Sequence, residues 1–181
     1  MTTGADNEST LPEPVSTSSE PSTTPSQLVT ALQREHSQWI TEIIEALGEV
    51  TAIVPGQHIV EVCTALKVSP QGAFDFLADI CGADRGVEEE PRFEVNYHLF
   101  STKKHHRLRL KVLLHEENAR VPTVTGVWRT ANWHERETYD LLGVIFEDHP
   151  DLRRILLPED WQGHALRKDL PLRGYEPYSL K

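Results

Sequence analysis

Three acidic residues lie close together near position 137, at spacings that could support chemistry. They are Glu135, Glu137 and Asp140. The preceding His134 and Glu135 match the start of the HExxH pattern, in which two histidines on one helix face bind zinc. The residue at position 138 is Thr138, so the second zinc ligand is missing. A zinc protease of this type is therefore excluded.

Two interpretations of the acidic cluster remain open. A stand-alone acid-base enzyme would use His134, Glu135 and Asp140, but general acid-base catalysis also needs a nucleophile or a pocket, and the sequence indicates neither. In a structural role, these acids would accept hydrogen bonds from Arg153-Arg154 or from backbone amides of the proline-rich segment that follows. On a helix, Arg136 also lies four residues before Asp140, where the two can pair. We expect the structural role.

Other kinds of chemistry lack the residues that they require. No GxGxxG, GxxxxGK[ST] or GxSxG pattern is present, so no nucleotide or acyl-transfer site is predicted. Cys63 and Cys81 do not form a CxxC pair, and two thiols are too few to hold an iron-sulfur cluster. His98, His105 and His106 fall on an exposed strand face or in a loop without an acid at ligand spacing. We therefore expect buried structural cysteines and no metal.

Charge and composition point to protein partners. The net charge of -10 disfavours binding to nucleic acid or to anionic lipid. No apolar run is long enough for a transmembrane helix, and the start lacks a signal-peptide pattern. Residues 1–26 are rich in Ser, Thr and Pro and hold acids but no Lys or Arg, which predicts a disordered acidic leader. The nearly balanced, arginine-bearing stretch from 149 to 181 fits a protein-protein contact.

The elements that must position the acids follow from the apolar spacing. A two-layer α+β fold is predicted over residues 27–147, with helices packed on a largely antiparallel sheet. The predicted elements, in order, are a helix at 27–47 capped by Ser26, a hairpin of strands at 50–54 and 58–62, a helix opened by Ser69-Pro70 and carrying Phe74, Leu77, Ala78 and Cys81 on its buried face, strands at 92–99 and 107–114, and a helix at 133–142.

The chain after Gly143 changes character. It carries apolar side chains such as Ile155, Trp161 and Leu170, while its prolines and glycines forbid regular structure. We expect residues 148–181 to form an extended, irregular docking tail. Such a segment buries its apolar side chains only if another surface covers them, and we expect a neighbouring protein to supply that surface.

The chain from Glu135 onward resembles a known family. Its ERExxDxxG run resembles the signature of the respiratory complex I 30-kDa subunit family, whose bacterial members are the C-type subunits of NADH-quinone oxidoreductase. The matching signature residues are Glu135, Arg136, Glu137, Asp140 and Gly143. The resemblance continues through the residues that we predict to dock a partner, because Arg and Trp are favoured at interface centres: His149, Pro150, Arg153, Arg154, Trp161, Arg167, Lys168 and Asp169. Ala165 and Leu170 depart from the family pattern, where proline and an aromatic residue are usual.

The resemblance implies a protein without a redox centre. It predicts that FMN and iron-sulfur clusters are bound by other members of the complex and none by this chain. It implies as partners the 49-kDa-type (D-type) and the cluster-bearing (B-type) subunits, and a peripheral position on the cytoplasmic side of the cell inner membrane. The alternative is the equivalent protein of a membrane-bound hydrogenase, a formate-hydrogen lyase or a photosynthetic complex of the same superfamily.

Overall fold

The computed structural model describes residues 23–171, which form three α-helices and seven β-strands. In chain order these are α1 (Pro25–Glu35), β1 (Glu42–Ala46), β2 (Glu49–Ile53), α2 (Ile59–Val68), β3 (Phe76–Asp84), β4 (Phe93–Phe100), β5 (Arg107–Leu114), β6 (Arg120–Pro122), α3 (Ala131–Leu142) and β7 (Ile145–Glu147). Most of the predicted leader and the last ten residues of the predicted docking tail lie outside the described residues.

Five strands form the main sheet in the order β1-β2-β5-β4-β3. All neighbours are antiparallel except β2 and β5, which pair in parallel with Ala52 opposite Leu110. Strands β6 and β7 form a separate parallel pair. The predicted α+β class with a largely antiparallel sheet is confirmed.

The core lies between one face of this sheet and the helices. Alternate residues of β4 and β5 point into it, including Tyr97 and Leu110, which are fully buried. Helix α3 packs closely on β3 at Gly82, where an added Cβ would come within 2.4 Å of Leu142 Cδ1. Thr138 of α3 also donates a hydrogen bond to the carbonyl of Ile80 in β3. With α3 packed in this way, Glu135 and Asp140 are buried and Glu137 is exposed.

The predicted helix at 27–47 is wrong beyond Glu35. Helix α1 begins after Thr24, which forms a capping box with Gln27, so the cap is not Ser26. The β-branched residues at 43 and 44 belong instead to β1, because their side chains pack well on a pleated surface. Leu47 and Gly48 both have positive φ and connect β1 to β2, the backbone of a type I′ hairpin turn.

The predicted second strand of the first hairpin is also wrong. Residues 58–62 belong to a short 3-10 turn and to α2, whose buried residues Ile59, Val62, Cys63 and Leu66 follow the helical spacing of three and four. The predicted first strand of the hairpin is confirmed as β2, but its partners are β1 and β5.

The predicted helix at 69–81 is wrong, because residues 69–75 form no helix and residues 76–81 belong to strand β3. Ser69 is the C-cap of α2, and Pro70 follows because proline cannot continue a helix. Cys81 therefore lies on β3 opposite Asn96, half-buried, and is not at the end of a helix. The predicted strands β4 and β5 and the predicted helix α3, ending at Gly143, are confirmed.

Candidate functional site: the anchored C-terminal segment

Residues 148–171, here called the C-terminal segment, contain no helix or strand and lie against the rest of the described chain, here called the body. Asp140, near the end of α3, is the centre of the first anchor. Its fully buried carboxylate accepts hydrogen bonds from three successive backbone N–H groups, those of Ile155, Leu156 and Leu157, at 3.0, 2.8 and 2.9 Å. The guanidinium of Arg154 donates to the other carboxylate oxygen at 2.7 Å.

These donors decide the charge of Asp140. Burial raises its pKa, but the hydrogen bonds from Leu157, Arg154, Ile155 and Leu156 outweigh burial and hold the pKa below its usual value. Asp140 is therefore ionised and its oxygens are already occupied, which leaves it unsuited to act as a general acid. The structural role predicted for the acids of this helix is confirmed for Asp140.

Two arginines tie further backbone to this anchor. Arg154 also donates to the carbonyls of Trp161 and Gly163, at 3.2 and 2.9 Å. Arg136 donates to the carbonyls of Arg153 and Arg154, at 3.1 and 3.0 Å. Arg136 thus binds the segment backbone, while the ion pair of Asp140 is with Arg154 and not, as predicted, with Arg136.

Gly143 is required by two separate features of this anchor. Its φ of +82° is a left-handed conformation that favours glycine, and an added Cβ would lie 2.7 Å from the ring of His164. That ring donates through Nδ1 to the carbonyl of Asp140 at 2.9 Å. The glycine of the signature therefore both ends α3 and makes room for the segment.

Glu135 lies beside His149, near the start of the segment. Its side chain is fully buried and accepts hydrogen bonds from the Val124 N–H, at 2.8 Å, and from the Thr123 hydroxyl. Its carboxylate comes within 3.9 Å of Nε2 of His149, whose side chain is also fully buried. Burial raises the pKa of Glu135 to about 7, against the opposing hydrogen bonds from Thr123 and Val124.

His149 is held in its neutral form. Its Nδ1 accepts a hydrogen bond from the Asp151 N–H, which leaves Nε2 to donate to the carbonyl of Asn132. Burial is the main reason that the pKa of His149 falls below its ordinary value. The neighbouring Pro150 is exposed.

The other members of the acidic cluster do not converge on a catalytic site. His134 lies 3.2 Å from Asp79 of β3, whereas Glu135 contacts other residues, Thr123, Val124 and His149. Glu137 is exposed and accepts no hydrogen bond from residues 23–171, so its predicted part in holding the segment is wrong. The acid-base enzyme interpretation is not supported by this arrangement.

A second anchor, which no sequence pattern indicates, surrounds Arg92. This guanidinium is only 2% exposed and contacts three carboxylates, those of Asp84, Glu116 and Asp169, at 2.7, 2.6 and 3.1 Å. The hydrogen bonds of Asp84 raise the pKa of Arg92 further, so it is permanently charged. Arg167 pairs with both Glu116 and Asp169.

The backbone takes part in this second anchor as well. The Lys168 N–H donates to Asp84 at 2.8 Å, and its ammonium donates to the carbonyl of Arg85 at 3.0 Å. Arg167, Lys168 and Asp169, predicted as partner-docking residues, are thus engaged with the chain's own body. The partner-docking role of these residues and of Arg154 stays a prediction.

The body covers the apolar side chains of the segment only in part. None in residues 150–171 is fully buried. Leu156 and Leu166 are 59% and 58% exposed, and Trp133 on the neighbouring face of α3 is 61% exposed. Arg153, another predicted docking residue, is also exposed, and its side chain pairs only with Asp151 in the described chain. The body therefore fixes the backbone of the segment but leaves much of its apolar surface uncovered.

The remaining candidate ligands form no metal site in the described part of the chain. Within residues 23–171 there is no group of three or more His, Cys, Asp or Glu side chains placed to hold a metal ion. Cys63 is fully buried, and burial followed by the charge of Glu135 raises its pKa. None of the helices in residues 23–171 has the length and apolarity needed to cross a bilayer.

The fold and the two anchors together define a small α+β protein that presents an irregular C-terminal segment. A family model described as the respiratory-chain NADH dehydrogenase 30 Kd subunit matches residues 52–176. The chain is 55% identical over 137 residues to the second C-type NADH-quinone oxidoreductase subunit of Rhizobium meliloti, covering 74% of each protein. It is 46% identical over 152 residues to the C-type subunit of Geobacter metallireducens, covering 83% of this chain and 93% of that protein.

Two solved structures share the fold. A trypsin-resistant fragment (1-134) of Nqo5 superposes with a TM-score of 0.59 and 36% identity, covering 69% of this chain and 98% of the fragment. A chain of the membrane-bound sulfane sulfur reductase, an archaeal respiratory membrane complex, gives a TM-score of 0.60 at 20% identity, covering 75% and 77%. At 20% identity, this second match shows only that the two folds are similar.

The chain belongs to the 30-kDa subunit family of respiratory-chain NADH dehydrogenase. The family predicted from the ERExxDxxG signature is thereby confirmed.

Proposed function

We propose that this chain is a structural and assembly component of the peripheral arm of a proton-translocating NADH-quinone oxidoreductase. In this role it binds no redox group itself, and electrons pass from NADH through FMN and iron-sulfur clusters held by other members of the complex to quinone. Its contacts with the membrane are indirect, from the cytoplasmic side of the cell inner membrane. Family membership supports the complex, and the structure of the segment supports the role within it.

One observation carries the proposal. The C-terminal segment is held by buried ionic anchors, yet two of its large apolar side chains stay exposed in the isolated chain, Leu156 at 59% and Leu166 at 58%. Exposed apolar side chains on a fixed backbone are the usual form of a protein-protein contact surface. A backbone that is already ordered also loses less conformational entropy when a partner binds.

The partners in this proposal are the 49-kDa-type and the cluster-bearing B-type subunits. Leu156, Leu166 and Trp133 would supply apolar contacts, and the exposed guanidinium of Arg153 would supply a polar one. Large aromatic and arginine side chains carry much of the binding energy in such interfaces. Arg154, Arg167 and Asp169 would act mainly by holding the segment in shape.

The test is assembly in native membranes. Leu156→Asp places a charge on the exposed part of the segment without removing a side chain of either anchor. We expect at least about tenfold less of the 49-kDa-type partner to copurify with the tagged chain, because burying an aliphatic side chain contributes about 1.5–3 kcal/mol. Val68→Asp, at a similarly exposed apolar position on the end of α2, is the matched control. Equal recovery of the partner with both variants would contradict the proposal.

The absence of a redox role has its own test. We expect the purified full-length chain to show only protein absorbance, with no flavin or iron-sulfur bands. A visible band that survives purification and scales with protein would overturn this part of the proposal, whatever the result of the assembly experiment.

A further inference from the structure

A groove lies at one end of the main sheet, away from both anchors. It encloses about 660 Å³ between the start of α1, the β1–β2 turn and the turn between β4 and β5. Phe76, Phe100 and Arg107 are neighbours in register across three strands and line its floor. This floor belongs to the sheet face opposite the core, and Pro25 and Ser26 of α1 are the only described helical residues that line the groove.

The groove combines the aromatic side chains of its floor with two arginines of β5 and with two acids of the β1–β2 hairpin, Glu45 and Glu49. Arg107 lies over the ring of Phe100 at 5.7 Å, and within residues 23–171 it forms no ion pair. Lys104, on the adjoining turn, is exposed and likewise has no carboxylate partner in the described chain. Arg109 does have one, Glu49, at 3.1 Å. An extended ligand with carboxylates between apolar residues would complement this surface.

The chain itself carries such a segment directly upstream. Thr24, the N-cap of α1, lines the groove together with Pro25 and Ser26, so the described part of the chain begins at the groove wall. Residues 1–22 contain the acids Asp6, Glu8, Glu13 and Glu20 and no Lys, Arg or His. The positive end of α1 also favours negative charge near this point.

We propose that residues 11–15, Leu-Pro-Glu-Pro-Val, bind in this groove. The Glu13 carboxylate would lie against Arg107 and Lys104, and the flanking Leu and Val would pack on Phe76 and Phe100. The prolines favour an extended conformation, which reduces the entropy lost on binding. The link from position 15 to position 24 reaches about 30 Å when extended, and the five strands span about 20 Å. Because the segment is tethered, its effective concentration is of millimolar order, so even a weak contact is populated.

The test measures where residue 16 lies in the full-length chain. A spin label is attached at Ser16→Cys in a Cys81→Ser background, with Cys63 left in place because it is fully buried. We expect the amide signals of Gly48 and Arg107 to be broadened, and that of Gly86, at the opposite end of the sheet, to be unaffected. Salt at 1 M, where the Debye length is about 3 Å, should abolish the broadening.

Charge reversal supplies the matched comparison. The double variant Lys104→Glu, Arg107→Glu should lose the broadening, whereas Arg129→Glu, an exposed arginine outside the groove, should retain it. Absence of broadening in the unsubstituted chain, or equal broadening in both charge variants, would overturn the proposal. If broadening occurs only when the spin label is on one molecule and the isotope-enriched amides are on another, a second copy of the chain occupies the groove. If the groove instead cross-links to a neighbouring protein, a partner occupies it. Either of these two results would also overturn the proposal that residues 11–15 bind in the groove. The outcome of this experiment does not depend on the proposed function.

Discussion

The body and the C-terminal segment are held together by opposite means. The body buries a continuous set of apolar side chains between helices and sheet, and residues such as Tyr97 and Leu110 have no exposed surface. The segment is held instead by charged groups around the buried Asp140 and Arg92 of the body, and two of its leucines, Leu156 and Leu166, are exposed. Burial of apolar area is non-directional, whereas a carboxylate with four donors fixes a backbone in one geometry. A chain without periodic apolar residues can therefore still have a defined conformation.

The largest effect should come from damaging the body. Leu110→Ala removes a fully buried side chain from the centre of the sheet and should lower the free energy of unfolding by about 2–5 kcal/mol. Urea denaturation followed by fluorescence measures it. Hydrogen exchange at the amides of residues 155–157 should become faster only through more frequent unfolding of the whole protein. Selective opening of the segment in this variant would show that the two regions are not independent.

The junction between the regions should respond to pH. The pKa of Glu135 rises to about 7 in the folded chain, so the folded state holds a proton that the unfolded state releases near pH 4.5. Its contribution to stability is therefore complete below about pH 4.5 and is lost as pH rises through about 7, with a total of about 3 kcal/mol.

Glu135→Gln should lack this contribution. As the pH rises from about 5 to about 8, we expect the free energy of unfolding of the unsubstituted chain to fall relative to that of the variant. His149, whose pKa is lowered, works in the opposite direction, because its contribution is present above its ordinary pKa and is lost at lower pH. A pH-independent difference would show that Glu135 is ionised in the folded chain throughout.

A smaller and local effect is expected at the first anchor. Asp140→Asn removes the charge that four donors share, and hydrogen bonds to charged groups contribute about 1.5–3 kcal/mol. We expect hydrogen exchange at residues 155–157 to accelerate at least about tenfold, and trypsin to cleave faster after Arg153 and Arg154. The urea midpoint should fall less than in Leu110→Ala. Glu137→Gln, on the exposed side of the same helix, is the control and should change neither rate.

The smallest effect should come from Gly143→Ala. A left-handed backbone with a side chain is less stable by roughly 1–2 kcal/mol, and the added methyl group must displace His164. We expect faster exchange at the amide of Leu166, which is hydrogen-bonded to the carbonyl of Leu141. Gly126→Ala, where no atom lies within 4 Å of the added Cβ, serves for comparison. If both variants changed the exchange rate at Leu166 equally, the steric conflict with His164 would not be the cause.

The elements that sequence reasoning predicts well are those in which one periodicity has no competitor. Strict alternation through β4 and β5 fits only strands, and α3 ends at a glycine with positive φ. The stretch from 27 to 47 is ambiguous, because its apolar spacing fits one long helix as well as a helix followed by a strand. Pairing of β1 with β2, and of β2 with β5, decides between them, and these are tertiary contacts.

The two anchors are not equally predictable, for a similar reason. Asp140 and Arg154 lie 14 positions apart beside a signature, and their contact is among those that the sequence predicts. Arg92 joins Asp84, Glu116 and Asp169, which lie 8, 24 and 77 positions from it in the sequence. No local pattern marks them, and only the folded sheet brings β3, β4 and the segment to one point.

The parallel pairing of β2 with β5 has a consequence for synthesis on the ribosome. Residues 51–53 find their partners only at 109–111, so the N-terminal hairpin cannot join the sheet until strand β5 has left the exit tunnel. Until then its apolar face has no permanent cover, and the nascent chain depends on the slow closure of a long loop before the sheet can be completed.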